Sequence, residues 1–498
     1  MIEMTLREIA DIVGGTLHDV PDPDATVTGA VEFDSRRITS GDLFLALPGE
    51  KADGHDFAER AVAAGAVAVL AARPVGVPAI VVTPQPHASR AIALAYDTDG
   101  SGAAVLGALA KLARASVDRL AAAGTLTVVG VTGSAGKTST KDLLAAVLAP
   151  LGEVVAPPGS FNNELGHPWT ALRADANTRY LVLELSARGP GHIKALTEIA
   201  PPAVGAVLNV GTAHLGEFGS QEVIAQTKGE LVEALPADGL AVLNLDDHLV
   251  AKMAARTQAR VVTVGMAANA DVRATDVRMD EQARARFTLH HNGESIEIRL
   301  AVHGEHQVGN ALTAAAVALN QGASLETVAR ALSGASAASA RRMDVRTRPD
   351  GVTVINDSYN ANPDSVRAAL KALVTMSRAA GADGQGREIG RRRSWAVLGE
   401  MGELGDDSVI EHDRIGRLVV RLDVDRLIVV GTGRPSHGMH QGAVMEGSWG
   451  EESILVPDLR AAIEILDAEL EPGDVVLVKA SKSVGLWTVA EHLLEAAR

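Results

Sequence analysis

The sequence predicts an α/β protein of three domains, a small α/β domain at the N-terminus followed by two domains built on parallel sheets. With 498 residues, the chain is too long for a single hydrophobic core. Beyond residue 104, short apolar runs alternate with segments of helical length, which is typical of parallel strands joined by helices. We therefore divide the chain into residues 1–103, 104–333 and 334–498.

Changes in composition mark the two boundaries. The Gly- and Ala-rich stretch Asp97–Ala104 ends the first domain, which contains a helix-like segment at Asp56–Ala64. The low-complexity run Ser333–Ala340 indicates a linker or hinge, and we expect a mobile surface loop between Ala379 and Arg393. The predicted strands of the second and third domains are Leu126–Val131, Tyr180–Leu185, Ala203–Val210, Gly239–Asn244, Val352–Ile355, Trp395–Leu398, Leu427–Val430 and Val475–Val478.

Charge and composition exclude several classes of protein. The formal net charge of −16 argues against a nucleic-acid partner, which would require a basic surface. The chain has no cysteine, so disulfides, zinc–thiolate sites and cysteine nucleophiles are excluded. It has no apolar stretch of membrane-spanning length and no cationic leader with an apolar core. We expect a cytoplasmic protein that binds no membrane.

A glycine-rich loop follows the first strand of the second domain and precedes a helix-like stretch with an apolar face. Backbone N–H groups of such a loop and the helix dipole hold phosphates, its lysine reaches the terminal phosphates, and the next hydroxyl can ligate Mg²⁺. Val131 stands where the first glycine of the usual motif is expected, and an ordinary glycine-rich turn is the alternative. The second domain is therefore predicted to be P-loop ATPase-like, with ATP bound by Gly133, Ser134, Ala135, Gly136, Lys137, Thr138 and Ser139.

Polar residues also stand at the carboxyl ends of other strands, where open parallel sheets bind their ligands. Glu184 ends one strand and suits a carboxylate that holds the Mg²⁺ of a nucleotide, with a surface glutamate as the alternative. Asn209 begins a segment that leads to His214, which could equally be structural because imidazole is a poor ligand for Mg²⁺. Asp357 follows a strand of the third domain and could also be a turn aspartate.

Other candidates have ordinary structural explanations. Lys228 by itself would be interpreted as a solvated helix lysine, and Asn310 as a helix cap. Ser481 and Lys482 follow the last strand and could contact a peptide. Four residues could simply belong to turns, namely Ser35, Arg36, Asn360 and Asn362.

Taken together, these residues resemble the Mur ligase superfamily, ATP-dependent amide-bond ligases of peptidoglycan precursor synthesis, over nearly the whole chain. The superfamily likeness is carried by Thr132–Thr138, Asn209–Leu215, Gly304–Ala311, Arg342 and Asp357. Likeness to the MurF type within the superfamily is carried by Asn162–Pro168, Tyr359–Pro363 and Leu398–Gly405. The segments Asp34–Arg36, Gly41–Phe44 and Asp53–Phe57 resemble a uridine-nucleotide domain.

The resemblance implies an activity and a set of ligands. It implies a monomeric ligase that joins D-alanyl-D-alanine to UDP-N-acetylmuramoyl-tripeptide through an acyl phosphate, with a Rossmann-like third domain. It implies ATP, two Mg²⁺ ions, and CO₂ bound as a carbamate on Lys228. The alternatives are a ligase of the MurE or folylpolyglutamate synthase type, and a P-loop switch or ATP-binding scaffold without ligation.

The resemblance also assigns roles to single residues. The catalytic residues it implies are Lys137, Lys228, His214 and Arg342, and the metal ligands are Thr138, Glu184, His214 and the Lys228 carbamate. Asn310, Arg342 and Asp357 would join the phosphate loop in binding ATP. The substrate-binding residues it implies are Ser35, Arg36, Asp53, Gly54, His55, Asn162, Asn163, Tyr359, Asn360 and Asn362. Ser186 and Arg188 stand where the MurF type more often has glycine and asparagine.

Overall fold

The computed structural model describes residues 1–50, 52–84, 94, 96–211, 215–382, 388–447 and 452–495. These residues form three main sheets, each with helices packed against it. The predicted α/β class is therefore confirmed. None of the helices in the described ranges combines the length and the apolar character needed to cross a membrane.

The first group of elements builds a five-stranded sheet in the order β2-β7-β6-β5-β4, beside a small β1–β3 pair. Only β2 runs antiparallel to its neighbour within the larger sheet. The strands are β1 (Met4–Thr5), β2 (Thr16–His18), β3 (Thr26–Val27), β4 (Val31–Glu32), β5 (Leu43–Leu45), β6 (Ala68–Ala71) and β7 (Ala79–Val81). The helices are α1 (Leu6–Val13) and α2 (Ala58–Ala63), with a 3₁₀ turn at Gly54–Phe57.

The second group builds a nine-stranded sheet, and its elements are as follows in chain order. The strands are β8 (Thr127–Thr132), β9 (Glu153–Val155), β10 (Thr178–Glu184), β11 (Val204–Val207), β12 (Leu240–Asn244), β13 (Arg260–Gly265), β14 (Val272–Met279), β15 (Arg284–His291) and β16 (Glu294–His303). The helices are α3 (Ser101–Ala122), α4 (Lys137–Leu148), α5 (Gly166–Ala171), α6 (His192–Ile199), α7 (Leu215–Phe218), α8 (Gln221–Glu233), α9 (His248–Ala251), α10 (Gln307–Asn320) and α11 (Leu325–Gly334). Two 3₁₀ turns lie at Ala149–Leu151 and Lys252–Arg256.

This central sheet has the order β16-β15-β14-β13-β12-β11-β8-β10-β9. Strands β9 to β14 pair in parallel, whereas β14, β15 and β16 pair antiparallel, so the predicted parallel sheet carries an antiparallel extension. Asn292 and Gly293, both with positive φ, form the tight turn between β15 and β16, as Asn-Gly pairs do in hairpins. Strand β8 lies between β10 and β11, and this reversal of strand order opens a crevice at the carboxyl ends.

Two apolar layers cover the central sheet. Leu144 of α4, Val308 of α10 and Val328 of α11 pack on one face, and Ile193 of α6 and Leu231 of α8 pack on the other. Helix α3 is shared between the first two sheets, because its buried residues join one cluster with both the first sheet and β10. It begins within the stretch that was predicted to separate the first two domains.

The third group builds a six-stranded sheet in the order β17-β18-β24-β21-β22-β23, in which only β17 is antiparallel. A separate β19–β20 hairpin stands where the sequence predicted a loop, because main-chain pairing does not require an apolar pattern. The strands are β17 (Asp344–Thr347), β18 (Thr353–Asn356), β19 (Ala380–Ala382), β20 (Glu388–Arg391), β21 (Ser394–Leu398), β22 (Arg426–Val430), β23 (Ser453–Val456) and β24 (Val475–Lys479). The helices are α12 (Pro363–Arg378), α13 (Ser408–Arg421), α14 (Arg434–Glu446), α15 (Leu459–Glu469) and α16 (Trp487–Glu495), with 3₁₀ turns at Gly405–Asp407 and Lys482–Val484.

Candidate active site

The predicted phosphate loop connects β8 to the first turn of α4. Helix α4 begins at Lys137, directly after Gly136, which has φ 86°. A Cβ at Gly136 would lie 2.6 Å from Asn310 Oδ1, so only glycine fits this close approach. The Lys137 ammonium donates to the carbonyl of Gly133 at 2.7 Å. The N-terminus of α4 therefore forms the anion cradle that the sequence predicts.

The end of the neighbouring strand β11 holds this loop in place. Asn209 Oδ1 accepts the Ala135 N–H at 2.9 Å, and Asn209 Nδ2 donates to the Ala135 carbonyl at 3.1 Å. The Ser134 N–H donates to the Asn209 carbonyl at 3.1 Å, and Ser134 Oγ accepts the Gly211 N–H at 2.9 Å. The loop shape is thus set from outside the loop by a second strand.

Glu184 lies fully buried at the end of β10. Its Oε2 accepts hydrogen bonds from Thr138 Oγ1 at 3.3 Å, Ser160 Oγ at 3.2 Å and Asn162 Nδ2 at 3.2 Å. Its Oε1 is buried and has no hydrogen-bond partner among the described residues. A buried carboxylate oxygen that is free beside a hydroxyl suits a hard divalent cation, because Mg²⁺ prefers oxygen ligands.

Lys228 lies on α8 with only 4% of its surface exposed. Burial, and secondly the positive charge of Lys137, hold its pKa well below the usual value for lysine. The environment therefore favours the neutral amine, and the sequence-based interpretation as a solvated lysine is excluded.

The segment after α11 brings an arginine to the phosphate loop. Arg342 Nη2 donates to Thr138 Oγ1 at 3.2 Å, and its guanidinium lies 4.2 Å from the centre of the Tyr359 ring. Arg342 Nε is buried without a hydrogen-bond partner within the described part of the chain. A cationic fork with a free donor beside an anion cradle suits a phosphate group.

Asp357 directly follows β18 and pairs with a lysine that the sequence analysis did not select. Lys479, buried at the end of β24, donates to Asp357 Oδ2 at 2.6 Å and to the Asn360 carbonyl at 2.9 Å. Burial lowers the pKa of Lys479, and the charge of Asp357 opposes that shift. Lys479 and Asp357 share a site because β18 and β24 are paired neighbours, which local sequence pattern does not reveal.

Most of these groups face one cavity of about 720 Å³ between the second and third groups of elements, whereas Glu184 and Lys228 are not among the residues that line it. Arg188 and Glu403 form an ion pair across it at 2.8 Å. The predicted residues that line it are Ser134, Ala135, Gly136, Lys137, Thr138, Ser139, Asn162, Asn163, Asn310, Arg342, Asp357, Tyr359, Asn360 and Asn362.

Several of these lining residues also have structural partners. Asn362 Oδ1 accepts the Ser365 N–H at 2.9 Å and caps α12, and Asn163 Oδ1 accepts the Gly166 N–H at the start of α5. Asn310 donates to Gln307 Oε1 at 2.9 Å. Ser160, which the sequence analysis missed, joins the site through Glu184, and a serine in a loop carries no signal that predicts this contact.

The N-terminal candidates do not line this cavity. Asp53 caps the 3₁₀ turn and contacts His55, whose Nε2 accepts the Ala72 N–H at 3.0 Å, so both have structural partners. Arg36 is exposed and pairs with Asp34 at 2.8 Å. Ser35 and Gly54 lie in the same two segments, outside the cavity lining. The remaining candidate, His214, lies outside the described residues.

The phosphate loop lies at a switch point of a parallel sheet, and cationic side chains from a further sheet face it. This arrangement defines a multidomain P-loop protein that binds a nucleoside triphosphate. Three family models match the chain: the Mur ligase family catalytic domain at residues 29–116, the Mur ligase middle domain at 131–318, and the Mur ligase glutamate ligase domain at 341–482. The chain belongs to the Mur ligase family.

Individual relatives agree with this assignment. The chain is 61% identical over 510 residues to the UDP-N-acetylmuramoyl-tripeptide--D-alanyl-D-alanine ligase of Mycobacterium tuberculosis, covering 99% of this chain and 98% of the relative. It is similar to a crystal structure of MurF from Acinetobacter baumannii, with TM-score 0.81 and 29% identity over 99% of both chains. It is also similar to MurF ligase from Thermotoga maritima in complex with ADP, with TM-score 0.74, 28% identity, and 94% and 98% of the two chains covered.

Proposed function

We propose that this chain joins D-alanyl-D-alanine to UDP-N-acetylmuramoyl-tripeptide with consumption of ATP. The products are the UDP-N-acetylmuramoyl-pentapeptide precursor of peptidoglycan, ADP and phosphate. The observation that carries the proposal is the hydrogen bond from Arg342 to Thr138, which places a cation from beyond α11 at the phosphate loop, where both residues line the large cavity. Relatives named for this reaction match over the full chain.

The reaction proceeds through an acyl phosphate. The terminal carboxylate of the tripeptide attacks the γ-phosphorus of ATP, and ADP leaves. Lys137 and Arg342 both contact the phosphate loop and offset the negative charge that spreads over the transferring group. The amine of D-alanyl-D-alanine then attacks the activated carbonyl, and the tetrahedral intermediate releases phosphate. Holding the reactants together supplies much of the rate, so no acid–base dyad is required.

The residues present fit a metal ion beside the phosphates. Thr138 and Glu184 would hold one Mg²⁺, and Glu184 Oε1, which has no hydrogen-bond partner among the residues described, is the ligand atom that supports this. Mg²⁺ neutralises charge on the phosphate oxygens when it is bound. We propose that CO₂ adds to the neutral amine of Lys228 with loss of one N–H proton to solvent, giving a carbamate that would supply oxygen ligands for a second Mg²⁺ together with His214.

We assign the two sides of the cavity to the two substrates. Asn162, which donates to Glu184, and Asn163 would contact the tripeptide, and Tyr359, Asn360 and Asn362 would contact the dipeptide. Asn310 and Asp357 would contact the nucleoside of ATP. The uridine end of the longer substrate would reach the segments that follow β4 and β5 of the first sheet, which carry Ser35, Arg36, Asp53, Gly54 and His55.

The remaining proposals concern organisation. We propose domains at residues 1–103, 104–333 and 334–498, one for each substrate group and one for ATP. The three main sheets support this division, since each falls within one of these ranges. We propose a monomer that works in the cytoplasm, where ATP and UDP-linked precursors are found.

One experiment tests the reaction. Purified protein with ATP and Mg²⁺ should release phosphate only when both the tripeptide and the dipeptide are present. With ¹⁸O in the terminal carboxylate of the tripeptide, one labelled oxygen should appear in the released phosphate. Lys137→Ala should abolish release. Phosphate release without the dipeptide, or phosphate without label, would contradict the proposal and would favour a P-loop switch.

A further inference from the structure

The segment that carries Arg342 is held in an unusual backbone conformation. We call residues Ser339–Met343, between α11 and β17, the strap. Arg341 and Met343, on either side of Arg342, have φ 61° and φ 49°. Residues other than glycine rarely adopt a positive φ. Such a backbone conformation costs free energy and persists only where surrounding contacts hold it. The direction of the Arg342 side chain is therefore set by whatever holds the strap.

One set of contacts fastens the strap to the third group of elements. The Met343 N–H donates to Asp357 Oδ1 at 3.1 Å, and the Arg341 carbonyl accepts the Tyr359 N–H at 3.2 Å. The Arg341 guanidinium donates to Glu491 at 2.8 Å. These contacts fix the C-terminal half of the strap to β18 and α16.

A second set fastens the strap to the helix of the phosphate loop. The Ser339 N–H donates to Asp142 Oδ2 at 3.1 Å, and Lys141 Nζ donates to Ser339 Oγ at 3.3 Å. Lys141, which is buried, also pairs with Asp142, whose side chain is 10% exposed. Thr138, which accepts from Arg342, lies three and four residues before this pair and so on the same face of α4. One face of α4 thus contacts both Ser339 of the strap and the guanidinium of Arg342.

Lys141 makes one more contact, to the other side of the site. Its ammonium donates to the Pro157 carbonyl at 2.9 Å, in the loop that leads from β9 to Ser160. Ser160 in turn donates to Glu184 Oε2 at 3.2 Å. The buried Lys141 ammonium therefore links two segments, the strap that carries Arg342 and the loop that carries Ser160, which donates to Glu184.

We propose that Lys141 and Asp142 are positioning residues of the ligation reaction. They hold the strap on α4 and so place the Arg342 guanidinium at the phosphate loop. The inference rests on the proposed function, because it assigns Arg342 to the transferring phosphate. Neither Lys141 nor Asp142 lines the large cavity, so they act through Arg342 and not on substrate.

The test is a double-mutant cycle between Asp142 and Arg342. Asp142→Ala should lower kcat by about 10²-fold, the scale of a misplaced catalytic group, and leave the KM values for tripeptide and dipeptide unchanged. In the Arg342→Ala background, the same change should alter kcat by less than about threefold, because the group that it positions is already absent. Asp142→Asn keeps an oxygen for the Ser339 N–H and should recover part of kcat.

The controls separate positioning from folding. Asp118→Ala removes an acid that pairs with Arg114 on α3, outside the site, and should leave kcat unchanged. Should Asp142→Ala fail to fold, as judged by its melting curve, Ser339→Ala replaces it in the cycle, because it removes only the hydroxyl that Lys141 contacts. Equal losses of kcat in both backgrounds would overturn the positioning role alone. Wild-type protein that forms no pentapeptide would overturn the proposed function, and the positioning role with it.

Discussion

The side chain of Asn209 both accepts a hydrogen bond from the N–H of Ala135 and donates one to the carbonyl of Ala135. The amide thereby holds the two peptide groups on either side of Ala135, in the middle of the phosphate loop, as a neighbouring strand would. A loop that must point several N–H groups at one anion depends on such support, because glycine and alanine have no side chains with which to fix their own backbone.

We predict that Asn209→Ala weakens ATP binding. Two hydrogen bonds worth about 1 kcal/mol each are lost, so the dissociation constant for ATP should rise roughly 30-fold. Asn209→Asp should do no better, because one carboxylate oxygen would face the Ala135 carbonyl. Titration calorimetry with ATP measures this. Asn177→Ala, at an exposed turn, is the matched control and should bind ATP like the wild type.

We predict that Lys228→Ala loses turnover by about 10²-fold or more, since an oxygen ligand of a metal would be lost. Acetate or formate should restore part of kcat, because a small carboxylate can occupy the place of the carbamate. Labelled bicarbonate should give a carbamate ¹³C resonance in the wild type that the variant lacks. The exposed Lys252 offers the control, and Lys252→Ala should show neither loss nor rescue. Absence of the resonance together with full activity would refute the carbamate.

We predict that the Tyr359 ring, and not its hydroxyl, supports Arg342. The guanidinium lies over the ring face, an interaction worth about 1 kcal/mol, so Tyr359→Ala should reduce kcat roughly fivefold. Tyr359→Phe should keep nearly full activity. Tyr96→Ala, at a half-exposed tyrosine, serves as the control. A large loss in Tyr359→Phe would instead assign the hydroxyl a direct role.

We predict that His167 makes the protein less stable in acid. Burial lowers the pKa of His167 to about 4 from 6.5, so the folded state keeps the ring neutral. The unfolded chain gains a proton as the pH falls below 6.5, and stability is lost from there down to about pH 4, by about 3 kcal/mol in total. His167→Gln should flatten the fall in melting temperature between pH 7.5 and pH 5. The exposed His248→Gln should leave that fall unchanged.

We predict that Gly229→Ala destabilises the protein when Arg256 is present and stabilises it when Arg256 is replaced by alanine. A Cβ at Gly229 would lie 1.8 Å from Arg256 Nη1, and Arg256 donates to the carbonyls of Ala225 and Gln226. Displacing the guanidinium should cost about 1–2 kcal/mol of stability. In the Arg256→Ala background the clash is gone, and Gly229→Ala should stabilise α8 by about 1 kcal/mol. Melting temperatures of the four proteins test this. Destabilisation in both backgrounds would exclude the clash as the cause.

Some parts of the site were accessible to sequence analysis and others were not. The phosphate loop could be predicted because its strand, glycines, lysine and helix are contiguous. The hairpin β15–β16 had a readable signal in Asn292 and Gly293, which the strand analysis did not use. Lys479 and Ser160 had none, since a lysine that ends a strand and a serine in a loop look ordinary until their neighbours are known. Asn362, for which the sequence left a turn as the alternative, caps α12 in the structure and also lines the cavity.

The amino-acid sequence by itself determined the α/β class, the phosphate loop and the family likeness, because each depends on residues that are close in the chain or on their order. Only the tertiary structure decided that Lys228 is buried and that Arg342 reaches Thr138. It also decided that Lys141 joins two sides of the site. The physical reason is that burial and charge pairing depend on which segments pack together, and residues 138 and 342 are brought within hydrogen-bond distance only by the packing of separate sheets and helices.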